Sequence, residues 1–357
     1  MELERRYPSL HVVDTPILDR SIRLVGKAAR RVGLDPVREE FVCSLYARHI
    51  ERELAKISPH VVISLAASHK CCNLRGSWPV IHFSDGLFAA VTRYYDRYKK
   101  TSARSWRLGN LIQQRLIDRS AAVILTSDWA LSEAQRDYRT DKTVLRVVPA
   151  GANLDYEPQG DIVASQKTSL KLLFVGIDWH RKGGPLALRV TEILRENGAP
   201  KTELHVVGCS PPEARSKPGV TVHGRLSKAD PTQRDQLDRL FREAAFLFVP
   251  SPQETFGLVY CEAAAYGLPS VACNTGGVPT IIRDGETGAL LNMGAPPEEY
   301  ARRILSIWND RTRYDAMRRH ARRFYERRLT WRAWGDAMGE EIERAVTSGR
   351  KVDRSAL

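Results

Sequence analysis

Short apolar runs recur along this chain, separated by longer stretches in which apolar and polar residues follow a helical spacing. The runs are His60-Val-Val-Ile-Ser-Leu65, Pro79-Val-Ile-His82, Ala122-Val-Ile-Leu125, Val144 to Val148, Leu172 to Val175, Leu204 to Val207, Ala245 to Val249 and Ser270 to Ala272. Runs of this kind suit strands buried on both faces, as in a parallel sheet covered by helices. Their alternation with helical segments predicts an α/β protein. A polar, turn-rich stretch from Gly151 to Thr168 has no clear period and reads as a linker. The pattern therefore predicts two doubly wound, Rossmann-like parallel-sheet domains facing a cleft, residues 1–160 and 161–325, followed by a helical tail over 326–350. Ligands in that architecture bind beyond the carboxyl ends of the strands.

One segment carries most of the chemistry: Pro250-Ser-Pro-Gln-Glu-Thr-Phe-Gly-Leu-Val-Tyr-Cys-Glu262. The run before it predicts a strand, Pro250 to Thr255 a turn, and Gly257 the opening of a helix that stops at Gly267, with Pro269 just beyond. Glu262 is the only charged side chain on that helix, so it is expected to be buried with a partner or to face a cleft. Free N–H groups and the positive dipole end at the helix start favour an anion. Glu254 on the turn and Glu262 in the helix then flank that anion. Ionised carboxylates only accept hydrogen bonds, which suits sugar hydroxyls. The ligand this arrangement fits is a diphosphate with a sugar on one side and a ribose on the other.

From Leu172 to Leu291 the chain resembles the carboxyl-terminal domain of glycosyltransferase family 4, the retaining GT-B enzymes with an E-x7-E motif. The motifs occur in order: Phe174-Val-Gly176, Arg181-Lys-Gly183, His205-Val-Val-Gly208, Val222-His-Gly-Arg-Leu226, Pro250 to Gly257, Gly276-Gly277 and Asp284-Gly285-Glu-Thr-Gly288. Ser127-Asp-Trp-Ala130 and Val147 to Asn153 are similar to the family's last amino-domain strands and its hinge. The resemblance implies transfer of a sugar from a nucleotide-diphosphate-sugar donor to a hydroxyl of a lipid-linked or glycan acceptor, with retention attributed to front-face attack guided by the leaving phosphate. Glu254 would hold donor-sugar hydroxyls, with Phe256, Gly257 and Leu258 near the sugar and phosphate. Glu262 would hold the ribose, Gly176 would lie at the end of the first donor-domain strand, and Arg225 would lie beside the base. Arg181 and Lys182 would neutralise the leaving diphosphate. His82 or Asp85 would stand on the acceptor side.

Three departures from the family pattern stand out. The first 60 residues hold only Gly26 and Gly33, so the amino domain is expected to lack the usual first strand and Gly-rich loop. The family's early Arg is Ile177 here, and Thr280 stands where a Glu is common. A second reading follows from them: a non-catalytic sugar-nucleotide-binding subunit that needs a partner to complete its site. No Asp-x-Asp occurs, so neither a metal nor another cofactor is expected.

Composition adds an anionic bias in the partners. With 55 basic and 42 acidic residues the net charge is +13. The arginines between Arg302 and Arg328 read as a solvated helix face. Arg93, Arg97, Lys99, Lys100, Arg104 and Arg107, following Tyr94-Tyr95, suit anionic lipid headgroups or an anionic glycan. Nucleic acid is not expected, since no binding motif accompanies the charge. Without a membrane-length apolar run or the apolar core of a signal peptide, the expected location is cytoplasmic, extending to peripheral contact with the inner face of an anionic membrane. The six cysteines lack ligand spacing and are expected as free thiols, with Cys71 and Cys72 on a loop.

Overall fold

A computed structural model describes residues 2–31, 34–154, 156–158, 162–163 and 166–348, without the side chains of residues 23, 25, 27, 28 and 30. The chain forms two compact units. One runs to Val148 and resumes at Trp334; the other is Pro149–Ala333. The boundary expected at 160 and 161 lies outside the described residues. The division falls earlier because Ala152 donates its N–H to the Leu329 carbonyl at 2.8 Å, tying the start of the expected linker into the second unit.

The amino unit carries four parallel strands in the order β1-β2-β3-β4: β1 Val62–Leu65, β2 Val80–Ser84, β3 Ser120–Leu125 and β4 Leu145–Val147. Before β1 the described chain is helical, in Glu2–Arg6, Pro16–Arg31 and Glu40–Ile57. Helix Trp331–Ser348 covers one sheet face. Its Trp334, Met338, Ile342 and Ala345 recur at helical spacing and pack with Ile81, Ile124 and Val148. Phe83 meets the Trp334 ring edge-on at 5.5 Å. Trp334 thus anchors this helix on the sheet. Phe324 and Tyr325 are buried in the preceding helix Arg311–Arg328, and Trp331 is 36% exposed.

The carboxyl unit has six parallel strands in the order β10-β9-β8-β5-β6-β7. They are β5 Lys171–Val175, β6 Glu203–Val207, β7 Val220–Gly224, β8 Phe246–Val249, β9 Ser270–Cys273 and β10 Gly288–Leu291. The apolar-run survey predicted all but β7 and β10. Both are edge strands: in β7 the apolar run is broken by Thr221 and the half-buried His223, and in β10 the buried run Gly288–Leu291 is only four residues long and opens on a glycine. The chain winds outward from β5 through β6 to β7, then returns to lay β8 on the other side of β5. The strand ends of β5 and β8 therefore border a topological switch point.

Two other expectations need correction. The arginines of Arg311–Arg328 are not all solvated: Arg318 is 1% exposed and donates to the Val163 and Ile162 carbonyls at 3.2 and 3.0 Å. Cys71 ends a short helix, Ser68–Cys71, and both it and Cys72 are buried against Leu54, Val80 and Leu116 rather than on a loop. All six cysteines are free thiols.

Candidate functional site

The loops leaving β5 and β8 bring the first group of expected residues together. After Val175 the chain passes buried Gly176 and an exposed loop to Arg181, Lys182 and Gly183, and helix Gly184–Glu196 follows. Trp179, 5% exposed, turns back against Phe174 with ring centres 4.9 Å apart and pins the loop. Gly183 adopts φ +80°, and a Cβ there would collide with the Pro250 carbonyl, so the two loops touch backbone to backbone. A residue without a side chain is required at that crossing. Ser251 closes the crossing by donating its hydroxyl to the carbonyls of Arg181 (3.1 Å) and Gln253 (3.0 Å).

Lys182 and Glu254 meet at this crossing in a hydrogen-bonded ion pair, the side chains 14% and 9% exposed. Arg181 lies beside them, its Nη1 3.4 Å from the Gln253 carbonyl and its Nε 3.4 Å from Asp178. Sequence reasoning assigned both cations to a diphosphate and Glu254 to a sugar. In the structure the Lys182 ammonium already rests on Glu254, so a diphosphate would share or displace that partner. The Glu254 carbonyl accepts from the Gly277 N–H at 3.1 Å, and Thr275 donates to the Pro252 carbonyl at 3.1 Å. The Gly276-Gly277 motif thus braces the turn from behind. Ile177, in the place of the family's Arg, is 75% exposed.

Glu262 lies in the second turn of helix Leu258–Ala265, which opens at Gly257 with φ +95°. Phe256 is buried and Leu258 exposed, so the helix start presents a free edge on one side only. Glu262 is 6% exposed and pairs with Lys228 at 2.8 Å. Burial raises its carboxyl pKa above the ordinary range, and Lys228 opposes that rise. Lys228 Nζ also reaches the Asn153 carbonyl at 2.5 Å. Lys228 carries no mark in the sequence: it sits in the polar loop Ser227-Lys-Ala-Asp230, where only the helix cap Asp230 is recognisable. Arg225 follows β7 and is exposed; none of the bonds described here ties it to the Lys182 and Glu254 crossing.

The second group lies in the amino unit. His82 and Asp85 line a cavity of about 530 Å³ with Ser84, Arg38, Arg97, Lys100 and Gln113. His82 is 1% exposed, and its Nδ1 is 3.2 Å from the Ser64 carbonyl. Burial lowers its pKa to about 4, so the ring is neutral near pH 7. Asp85 is exposed at the rim. Among the described residues the Nε2 of Gln113 has no hydrogen-bond partner, although Gln113 is 3% exposed. A buried donor left in that state favours a ligand that accepts from it. Of the expected basic cluster, only Arg97 and Lys100 line the cavity, with Arg97 stacked on Tyr95 and Tyr98 at 5.0 and 4.8 Å. Arg93, Lys99 and Arg104 are paired to carboxylates elsewhere. Arg38, which sequence reasoning missed, lies over the Phe88 ring at 4.5 Å.

Residues 169–310 match the family model described as glycosyl transferases group 1. A curated relative, the D-inositol 3-phosphate glycosyltransferase of Corynebacterium efficiens, is 28% identical over 304 residues, 77% of this chain and 68% of the relative. One relative of that name is spanned over only 42% of its length. Among solved structures, sucrose-phosphate synthase from Thermosynechococcus elongatus aligns with a TM-score of 0.67 at 20% identity, covering 86% of this chain and 79% of the other. Anabaena HepE in complex with UDP-glucose aligns at 0.55 and 14% identity, over 76% and 72%. These likenesses identify both units as those of the GT-B fold.

Proposed function

We propose that this chain, whose residues 169–310 match the model of group 1 glycosyl transferases, transfers a hexosyl group from a nucleoside-diphosphate sugar to a hydroxyl of an anionic polyol, glycan or lipid-linked acceptor, with retention and without a metal. The observation that carries this reading is the crossing of the β5 and β8 exit loops at the switch point of the carboxyl sheet, where Lys182 is held against Glu254. A diphosphate entering there meets two cations and the start of helix Leu258–Ala265. Lys182 then moves part of its charge from Glu254 to the phosphate. Glu254 in turn accepts from the sugar hydroxyls, which keeps the carboxylate satisfied. As the glycosidic bond breaks, charge builds on the diphosphate, and Arg181 and Lys182 stabilise it. Glu262, held by Lys228, accepts from the ribose hydroxyls.

The acceptor reading rests on the amino unit's cavity. Arg97 and Lys100 supply positive charge, Gln113 supplies an unused donor, and neutral His82 can accept a hydrogen bond from an acceptor hydroxyl. The names of the curated relatives, which act on inositol 3-phosphate, support an anionic polyol of this kind. HepE, solved with UDP-glucose, supports a uridine diphosphate donor.

The test is an NMR assay of anomeric configuration with a panel of nucleotide sugars, inositol phosphates and glycan acceptors, with and without EDTA. Product with the donor's configuration at an unchanged rate in EDTA is the expected result. Binding of a nucleotide sugar with no transfer to any acceptor would favour the non-catalytic subunit instead.

A further inference from the structure

Helix Pro16–Arg31 belongs to neither site, and it is anchored on one side only. Asp19 reaches Lys70 at 2.9 Å and accepts from Tyr46 at 2.7 Å and Thr15 at 3.0 Å. Leu18 and Ile22 are half-buried and Gly26 is buried on the same side. The other side is bare: Ile17 is 80% and Leu24 71% exposed, and Arg20, Ser21 and Arg31 are exposed with them. Ile17, Leu24 and Arg31 are successive members of a seven-residue spacing, and Arg20 and Ser21 fall one turn between the first two. These residues form one stripe. Val12, on the approach to the helix, is 69% exposed, and Phe41, in the next long helix, is 71% exposed.

Single exposed aliphatics are ordinary. Two on one helical stripe, flanked by arginines, fit the boundary between lipid headgroups and acyl chains, where guanidinium groups reach back to phosphate. Charge selects the partner. The helix sequence holds five basic residues and one acid, and that acid is turned inward onto Lys70. Among the described residues no helix is long and apolar enough to cross a membrane, so the contact would be peripheral.

We propose that the outward stripe Ile17, Arg20, Leu24 and Arg31 docks the amino unit on an anionic phospholipid surface. This moves the membrane contact away from the Tyr94 to Arg107 segment, where Arg93, Lys99 and Arg104 are already engaged with carboxylates. The docking is independent of the transfer reaction.

The experiment is co-sedimentation of the full chain with phosphatidylcholine vesicles, pure or containing phosphatidylglycerol. At about 1 kcal/mol per basic residue near such a surface, Arg20→Gln with Arg31→Gln should weaken binding to the anionic vesicles about tenfold or more. Ile17→Glu with Leu24→Glu should abolish it, with an unchanged melting temperature because both side chains are exposed. Arg97→Gln with Lys100→Gln should leave it intact. Equal binding to pure phosphatidylcholine, or full binding by the Glu variant, would overturn the proposal. So would a wild-type chain that pairs with itself through this stripe and pellets with neither vesicle.

Discussion

The loop crossing of the carboxyl unit and the cavity of the amino unit arrange their polar groups in opposite ways. At the crossing, polar groups of two loops are matched: Lys182 with Glu254, Arg181 with Asp178, and Ser251 with two carbonyls. Around the cavity, groups from several distant segments converge, and Gln113 Nε2 is left unpaired among the described residues. A site whose groups already bond one another is rigid before the ligand arrives. A site with unpaired donors depends on the ligand to satisfy them. Substitutions at the crossing should therefore affect the chemical step, and those at the cavity should affect acceptor affinity.

The largest effect is expected from Glu254→Gln. It removes the carboxylate and leaves Lys182 without its counter-charge; turnover should fall about 10²- to 10³-fold, read as kcat with saturating donor. A fall confined to the acceptor KM would break the distinction drawn here. The amino unit's counterpart is a pH effect. His82 has its folded pKa near 4, below the ordinary histidine value of 6.5, so the unfolded chain binds its proton first on acidification. Stability from this group is present above about pH 6.5 and is lost as pH falls toward 4, by roughly 3 kcal/mol in all. His69, whose pKa burial also lowers to about 4, adds to the slope. His82→Gln should make the decline of melting temperature between those pH values shallower, and an unchanged slope would remove His82 from the account.

A smaller loss is expected from Gly183→Ala, which combines a left-handed φ with the collision at Pro250. Gly198 also has a left-handed φ, of +101°, but open space around it. Denaturant unfolding should show Gly198→Ala costing about 1 kcal/mol and Gly183→Ala clearly more. Equal costs would mean that the two loops do not press on one another. Glu262 and Lys228 sharpen the picture further. Because burial raises the Glu262 pKa, its protonated form favours folding; that contribution is full below the ordinary carboxyl pKa and is lost as pH rises through the raised one. If Glu262 accepts from a ribose as proposed, binding needs the ionised form, and nucleotide affinity should rise with pH over the same range. Lys228→Met should move that rise to higher pH, and an unmoved profile would mean Lys228 does not hold the carboxylate. The smallest effect is expected from Arg97→Gln, an exposed group: a several-fold rise in acceptor KM with kcat retained.

The same contrast explains what could be seen in the sequence. The crossing was legible because each of its parts is a contiguous motif at the end of an apolar strand: Gly176 to Gly183 after β5, and Pro250 to Gly257 after β8. Parallel pairing of β5 with β8 then supplies the contact. Strand β7 shows no apolar run because as an edge strand it is only half-buried, and β10, though buried, is too short and opens on Gly288. The partners of the two glutamates were less legible, since Lys228 lies 34 residues from Glu262 in a loop without a marker. The cavity was legible only at His82 and Asp85. Arg38 and Gln113 come from helical segments whose polar residues look like surface positions until the fold turns them inward.

The most direct test is calorimetric titration of UDP, GDP and ADP and their sugar conjugates into the wild-type chain and into Glu254→Gln, Lys182→Met and the double variant. One nucleotide sugar should bind the wild type, each single variant should weaken it, and the double variant should lose less than the sum, because the two side chains act as a pair. Binding unaffected by either substitution, or losses that simply add, would contradict a donor site built on the crossing of the β5 and β8 loops.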